Sequence, residues 1–128
     1  MLVVAMVLAA LAALLHVYIF VLESVLWTTP RARSVFGTTS DEAEATRSLA
    51  FNQGFYNLFL AIVTGIGVVL VIADHHAVGS ALVVAGTASM LAAAVVLFAS
   101  DATKRRPATT QGALPLLSLI ALAIAAAV

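Results

Sequence analysis

Apolar residues are concentrated in four blocks along the chain, and polar segments separate these blocks. The blocks cover roughly residues 2–27, 49–73, 78–99 and 111–128, each close to the ~20 residues that a helix needs to cross a bilayer. Consecutive helices pack as antiparallel neighbours. The pattern therefore predicts an all-α integral membrane protein, a single domain over residues 1–128 that forms an antiparallel bundle of four transmembrane helices. The last apolar run is short, which predicts a shallow fourth span.

Two of the blocks carry polar side chains on one helix face. In the first block, alternating steps of four and three residues connect Ala9, Ala13, His16, Phe20, Glu23 and Trp27. Residues at this spacing share one face of a helix, and since a charge facing lipid is costly, we expect this face to point into the bundle. In the second block, the same spacing connects Gln53, Asn57, Leu60, Thr64 and Gly67. Asn52 points about 140° away from Asn57, so it serves a different neighbour or caps the connection.

The polar ends of these two faces are expected to meet. At a rise of 1.5 Å per residue, Glu23 lies ~6 Å and His16 ~16 Å inside the first span. Gln53 and Asn57 lie ~6 Å and ~12 Å inside the second span, counted from the same side. Because an unpaired polar group in hydrocarbon costs several kcal/mol, we expect these four side chains to hydrogen-bond to one another.

The first connection is expected to contain a helix start. Ser40 precedes the acidic residues Asp41 and Glu42, which is typical of an N-cap followed by an acidic first turn. Glu42 is not three residues after Ser40, so this pattern predicts no capping box. We expect the helix to continue into the second span.

His16 and Glu23 are the candidate catalytic residues, because imidazole and carboxyl groups are common in general acid–base catalysis. They lie ~10 Å apart along a straight helix, so a partner side chain or a water molecule must lie between them. The candidate ligand-binding residues are Asn52, Gln53, Tyr56, Asn57 and Trp27. The alternative is a purely structural role, in which the polar residues fix the helix register and the aromatic residues anchor the helices at the membrane interface.

All six Lys and Arg residues lie in the first and third connections. The positive-inside rule then places these connections in the cytoplasm and both termini outside, in a multi-pass protein of the cell membrane. The run Lys104-Arg105-Arg106 is an orientation signal that can also bind anionic lipid head groups. The first block is interpreted as a span and not as a cleaved signal, because no Lys or Arg precedes it and it contains His16 and Glu23.

Composition argues against several functional classes. The chain is 63% hydrophobic and 9% charged, whereas average proteins carry about 25% charged residues. Its net charge of zero gives no reason to expect nucleic acid as a partner. The chain has no cysteine, and carboxamides are poor ligands for transition metals, so we predict no metal site and interpret Asp74-His75-His76 as an exposed turn. No nucleotide-binding glycine motif is present, and we expect no cofactor.

The polar positions also form a specific sequence pattern. It runs as His16-x-Tyr18-Ile19-Phe20-x-Leu22-Glu23-x-x-x-Trp27, then Phe36-Gly37, then Asn52-Gln53-Gly54-x-Tyr56-Asn57-x-Phe59-Leu60-Ala61, with a later Gln111-Gly112. Over essentially the whole chain, this pattern resembles the small membrane proteins of domain of unknown function family 1304. The resemblance implies a short four-span membrane protein of bacteria and fungi, and it brings no established activity, cofactor or substrate.

Three functions agree with these features. The first, which we favour, is a membrane protein whose polar pocket in the cytoplasmic half of the bilayer binds a small apolar or lipid-like ligand. The second is an isomerase- or hydrolase-like membrane enzyme in which Glu23 and His16 form an acid–base pair. The third is a structural or accessory membrane protein. Membrane lipids are the expected partners. A homo-oligomer is permitted by the small-residue faces of the first block, with Ala9 and Ala13, and of the third block, with Ala81, Ala85, Ser89 and Ala93.

Overall fold

The computed structural model describes residues 1–127, and all regular structure in this range is helical. The elements are α1 (Leu2–Phe20), a π-helical turn (Val21–Val25), α2 (Pro30–Phe36), α3 (Ser40–Ala45), α4 (Arg47–Ile72), α5 (His76–Ser100), a 3-10 turn (Ala102–Lys104) and α6 (Arg105–Ala127). Four segments are long and apolar enough to cross a membrane, at residues 2–25, 47–72, 76–100 and 102–127. The predicted four-span organisation is confirmed. The fourth of these long helices, α6, begins at Arg105 and not at residue 111. It is therefore longer than the short apolar run alone indicated.

The four long helices pack in a ring. Helix α1 contacts α4 and α6, and α5 contacts the same two helices from the other side. The neighbours are antiparallel, because low-numbered residues of α1 meet high-numbered residues of its partners. The Ser118 hydroxyl of α6, for example, donates a hydrogen bond to the Ala5 carbonyl oxygen over 3.0 Å. One end of the bundle therefore carries the first and third connections together.

Glycines set the distance between α4 and α5. A Cβ atom on Gly67 would lie 2.8 Å from both the Gly79 carbonyl oxygen and the Val83 backbone nitrogen, and a Cβ on Gly86 would overlap the Thr64 hydroxyl. Backbones this close leave no room for a methyl group, which is a common way to pack helices in membranes.

The small-residue stripe of the third block does not form this contact. The inward face of α5 carries other residues, namely Gly79, Val83, Gly86, Thr87, Met90 and Ala94. Ala81, Ala85, Ser89 and Ala93 are exposed on the bundle surface. The closest approach uses glycines, so the alanine stripe is left facing outward.

The first connection folds into two short capped helices. Helix α2 has Pro30 in its first turn, accepts a backbone hydrogen bond at the Thr29 side chain and ends at Gly37 in the left-handed conformation, with φ 63°. Helix α3 is capped by Thr39, not by Ser40 as the sequence suggested. Thr39 and Glu42 form a capping box, in which the Glu42 carboxylate accepts the Thr39 N–H over 2.8 Å. These hydrogen bonds to the carboxylate hold the pKa of Glu42 below its ordinary value.

Lys104, in the third connection, contacts the end of α2 in the first connection. Its ammonium group donates hydrogen bonds to the carbonyl oxygens of Phe36 over 2.6 Å and of Gly37 over 3.3 Å. These oxygens lie at the C-terminal end of α2, where a cation is favourable. The contact fixes α2 against the start of α6. The expected continuous helix from Ser40 into the second span is interrupted at Thr46, where α3 ends and α4 begins.

Candidate functional site

The π-helical turn at the end of α1 positions the candidate acid. Leu26 N–H donates to the Val21 carbonyl over 3.0 Å, five residues back instead of four, so the turn is wider than an α-helical one. Turns of this kind are frequent at functional sites. The consecutive residues Leu22 and Glu23 are both buried here, and Trp27 follows after the helix has ended.

Gly54 allows this turn to lie directly against α4. A Cβ atom on Gly54 would overlap the Ser24 hydroxyl and would lie 3.0 Å from the Ser24 backbone nitrogen and 3.1 Å from the Glu23 Cβ atom. The Ser24 hydroxyl also donates a hydrogen bond to the Phe51 carbonyl over 2.8 Å. The turn and the first part of α4 are therefore in backbone contact, and this contact brings Glu23 close to the polar side chains of α4.

The structure brings Glu23 and Asn57 together. The Asn57 side-chain nitrogen donates to Glu23 Oε2 over 2.7 Å and also lies 3.2 Å from the Gln53 carbonyl oxygen. The two side chains are only 9% and 8% exposed. Within residues 1–127, no hydrogen bond reaches the other carboxylate oxygen, Oε1. Glu23 is thus fixed through one oxygen and has the second oxygen free for a further partner.

His16 lies deeper in the bundle and has a separate partner. Its ring is 1% exposed, and Nδ1 lies 2.9 Å from the Ala12 carbonyl oxygen one turn earlier. A carbonyl can only accept, so Nδ1 carries a proton, and in the neutral ring Nε2 is then the basic nitrogen. The structure shows no hydrogen bond between His16 and Glu23, Gln53 or Asn57. The expected mutual hydrogen bonding thus holds for Glu23 and Asn57, and it extends neither to His16 nor to the side chain of Gln53, whose backbone carbonyl alone accepts from Asn57.

A groove lies beside Glu23 at the end of the bundle that carries the basic connections. Its volume is about 710 Å³, within the range of ~300–1,000 Å³ that is usual for ligand pockets. It lies between the end of α1, α3 and the first turns of α4, and we call it the Glu23 groove. Its walls are Glu23, Ser24, Val25, Trp27, Thr28, Glu44, Arg47, Ser48, Phe51 and Asn52.

Three of the residues singled out from the sequence line this groove. They are Glu23, Trp27 and Asn52. The Trp27 indole N–H donates to the Thr46 hydroxyl over 3.2 Å, so the ring is fixed at the groove edge. Helix periodicity points Asn52 away from Asn57, and the two residues have different roles. Asn52 lines the groove, whereas Asn57 does not line it and holds Glu23 by a hydrogen bond.

Gln53 and Tyr56 are placed differently. Both are exposed on the surface of α4, Tyr56 at 64%, and neither lines the groove. The inward face of α4 runs through Ala50, Gly54, Asn57, Ala61, Thr64, Gly67 and Val71. The predicted face was thus correct at Asn57, Thr64 and Gly67 and wrong at Gln53 and Leu60, where Gly54 and Ala61 are the buried residues.

The groove also contains an ion pair that the sequence pattern did not single out. The Arg47 guanidinium lies 3.8 Å from the carboxylate of Glu44, which precedes it by three residues. Both side chains are mostly exposed. An exposed pair of this kind contributes little to stability. It places both signs of charge among the residues that line the groove, where Phe51 adds an apolar ring. Charged residues in a connection are ordinarily solvated, so the sequence carried no signal for this role.

No group of three or more His, Cys, Asp or Glu side chains able to hold a metal ion occurs in residues 1–127. Among these residues, His76 lies 3.6 Å from the Asp74 carboxylate at the exposed turn before α5. This is a contact between two groups, and it lacks the further ligands that a metal site needs.

One comparison with known proteins gives a match. A family model described as "Protein of unknown function (DUF1304)" matches residues 10–123. The matched range includes Glu23, Asn57 and every residue that lines the Glu23 groove. No curated protein and no solved structure matches the chain.

Proposed function

This four-span chain belongs to the DUF1304 family, and we propose that it is a ligand-binding protein of the cell membrane. Its ligand is a lipid-like molecule that binds in the Glu23 groove. The observation that carries this proposal is the arrangement of Glu23, which lines the groove and is held by Asn57 through one oxygen only. A buried ionisable side chain in a membrane protein is costly, and a ligand that donates a hydrogen bond to the second oxygen offsets this cost.

The groove walls define the chemistry of the ligand. Glu23 and Asn52 favour a head group with hydroxyl or amine donors, since a carboxylate accepts hydrogen bonds and a carboxamide both donates and accepts them. Phe51, Val25 and Trp27 offer apolar surface for a chain or ring. We therefore propose an uncharged or zwitterionic amphiphile with at least one hydroxyl or amine group.

The orientation in the membrane is part of the proposal. All six Lys and Arg residues lie in the two connections at one end of the bundle, and this asymmetry supports a cytoplasmic position for that end. Both termini are then outside, and the Glu23 groove opens in the cytoplasmic half of the membrane.

A quenching titration tests ligand binding. Trp27 is the only tryptophan of the chain and lines the groove, so it reports on occupancy. The probe is a monoacylglycerol with a brominated chain, added to the full chain in phosphatidylcholine nanodiscs. We expect saturable quenching in the parent protein.

Two neighbouring carboxamides provide the matched variants. Asn52→Ala removes a groove residue, whereas Gln53→Ala removes an exposed residue outside the groove. Losing one hydrogen bond of about 1 kcal/mol raises the half-saturating concentration about five-fold in Asn52→Ala, and Gln53→Ala leaves it unchanged. Quenching that rises linearly in the parent protein, or equal effects of the two variants, would refute the proposal.

Cysteine labelling tests the orientation. The chain has no native cysteine, so His75→Cys and Ala102→Cys each introduce a single thiol, at opposite ends of the bundle. A membrane-impermeant maleimide added to intact cells should label residue 75 and not residue 102. The reverse pattern would invert the proposed topology.

An enzymatic role for Glu23 and His16 stays a prediction, and Glu23→Gln separates it from binding. This variant keeps a side-chain oxygen that accepts the Asn57 hydrogen bond, but it cannot exchange a proton in catalysis. A pure binding protein keeps measurable affinity for the monoacylglycerol probe in this variant.

A further inference from the structure

A second cavity lies on the other flank of α1, beneath α2. It has a volume of about 320 Å³ and is bounded by α1, α2 and α6; we call it the α2 cavity. Leu22 lines the α2 cavity, while the next residue, Glu23, lines the Glu23 groove. The wide turn at the end of α1 therefore separates two cavities.

The inner wall of the α2 cavity is apolar. Leu15, Ile19 and Leu22 of α1 face it from one side, and Val35 and Phe36 of α2 face it from another. Such a wall gives no hydrogen bonds to a small hydrated ion. It favours an occupant with hydrocarbon next to its polar group.

Three arginines without a carboxylate partner lie on the two helices, α2 and α6, that bound this cavity together with α1. Arg106 lines the cavity. Arg31 donates from Nε to the Tyr18 hydroxyl over 3.2 Å, its guanidinium carbon lies 5.7 Å from the centre of the Tyr18 ring, and Tyr18 also lines the cavity. On α2, the Nε atom of Arg33 is buried without a hydrogen-bond partner among the described residues.

The other cations near this end already have partners. Arg47 pairs with Glu44, Lys104 donates to carbonyl oxygens of α2, and the Arg105 guanidinium lies over the Phe98 ring at 5.0 Å. In the part of the chain that the structure describes, no carboxylate lies within 4.0 Å of a guanidinium nitrogen of Arg31, Arg33 or Arg106. Three positive charges without a carboxylate partner therefore lie on α2 and α6, next to the α2 cavity.

We propose that the α2 cavity binds the phosphate head group of an anionic membrane lipid. The phosphate oxygens accept hydrogen bonds from Arg106 and Arg31, which suits the fork geometry of guanidinium groups. The glycerol and the first chain carbons contact the apolar wall. A cavity of about 320 Å³ is too small for a whole phospholipid, so the acyl chains continue into the surrounding bilayer. Basic pockets between transmembrane helices bind lipid head groups in this way.

Native mass spectrometry with added lipid tests this proposal. The purified full chain in a neutral detergent is titrated with phosphatidylglycerol, and in parallel with phosphatidylcholine of the same acyl chains. We expect one saturable phosphatidylglycerol site and at least ten-fold weaker binding of phosphatidylcholine. Glycerol 3-phosphate, which carries the phosphate without hydrocarbon, should not displace the lipid at an equal concentration.

Arg106→Gln and Arg105→Gln form the matched pair. Both residues are exposed and adjacent, and both substitutions change the net charge equally, but only Arg106 lines the cavity. Arg106→Gln should weaken phosphatidylglycerol binding by about five-fold or more, the fold-change that corresponds to about 1 kcal/mol for one basic residue near a membrane surface. Arg105→Gln should change it less than two-fold.

Three results would overturn the proposal. Equal losses in the two arginine variants would mean that the lipid responds to overall charge and not to the cavity. Equal binding of phosphatidylcholine would mean that the net negative charge of the head group is not recognised. Displacement by glycerol 3-phosphate would identify a site for a soluble anion. The unfolding midpoint of each variant in phosphatidylcholine is measured alongside, and Arg106→Lys, which keeps the charge, gives a second reading if Arg106→Gln does not fold.

Discussion

Gly54→Ala is the substitution that most directly tests how Glu23 is positioned. The added methyl group would overlap the Ser24 hydroxyl and lie 3.0 Å from the Ser24 backbone nitrogen. The hydroxyl cannot move freely, because it donates a hydrogen bond to the Phe51 carbonyl. The π-helical turn must therefore move away from α4, and the 2.7 Å hydrogen bond between Asn57 and Glu23 lengthens with it.

The magnitude follows from three contributions. Overpacking a tight contact costs ~1–3 kcal/mol, and losing the Ser24 hydrogen bond costs ~1 kcal/mol. Replacing glycine by alanine within a helix returns ~1 kcal/mol. We expect Gly54→Ala to lower the free energy of unfolding by about 1–3 kcal/mol.

Gly65→Ala is the matched control on the same helix. A Cβ atom at Gly65 would meet nothing within 4 Å, so this variant should be neutral or more stable by up to ~1 kcal/mol. The assay is unfolding in mixed micelles by increasing SDS, followed by far-UV circular dichroism and by the Trp27 fluorescence. Equal midpoints for the two variants would show that Gly54 does not hold the turn against α4, and the explanation of the Glu23 position would be wrong.

Three further predictions concern the caps, the connections and the second glycine contact. The pKa of Glu42 is lowered by its hydrogen bonds to Thr39, so the capping box stabilises α3 above pH 4.5 and this contribution is lost as the pH falls through the lowered pKa. Carboxyl NMR titration should find the pKa of Glu42 closer to the ordinary value of a glutamate in Thr39→Ala. Lys104→Met should lower the free energy of unfolding by about 1 kcal/mol, because two carbonyl oxygens at the end of α2 lose their donor; an unchanged SDS midpoint would contradict this. Gly67→Ala should cost about 1–3 kcal/mol, because its neighbours are backbone atoms, including the Gly79 oxygen; a variant as stable as Gly65→Ala would refute the close packing of α4 and α5.

The four spans could be predicted from the sequence because hydrocarbon imposes a simple condition. A helix must supply ~20 apolar residues to cross the bilayer, and the four blocks satisfy this condition one by one. The contact between Glu23 and Asn57 was also accessible, since both residues were expected in the same half of the membrane, at depths of ~6 Å and ~12 Å on antiparallel neighbours. Both inferences depend only on helix rise and on the cost of burying polar groups.

The local geometry of the site could not be predicted in the same way. No proline or glycine marks the π-helical turn at Glu23, so a regular helix was expected there, with Trp27 continuing the inward stripe. The inward position of Gly54 in place of Gln53 follows from a backbone contact with Ser24, and hydrophobic periodicity does not register such a contact. The role of Asn52 in the groove depends on where α3 lies, which the sequence left open.

An experimental structure of the full chain in lipid nanodiscs would show whether a lipid-like ligand binds in the Glu23 groove. The region to inspect is the groove between Glu23, Trp27 and Asn52. We expect elongated, chain-like density whose polar end lies within hydrogen-bond distance of the free Glu23 oxygen. The groove could instead be closed, with these side chains in contact and no space for a ligand. This result would refute ligand binding and assign the polar residues to helix packing.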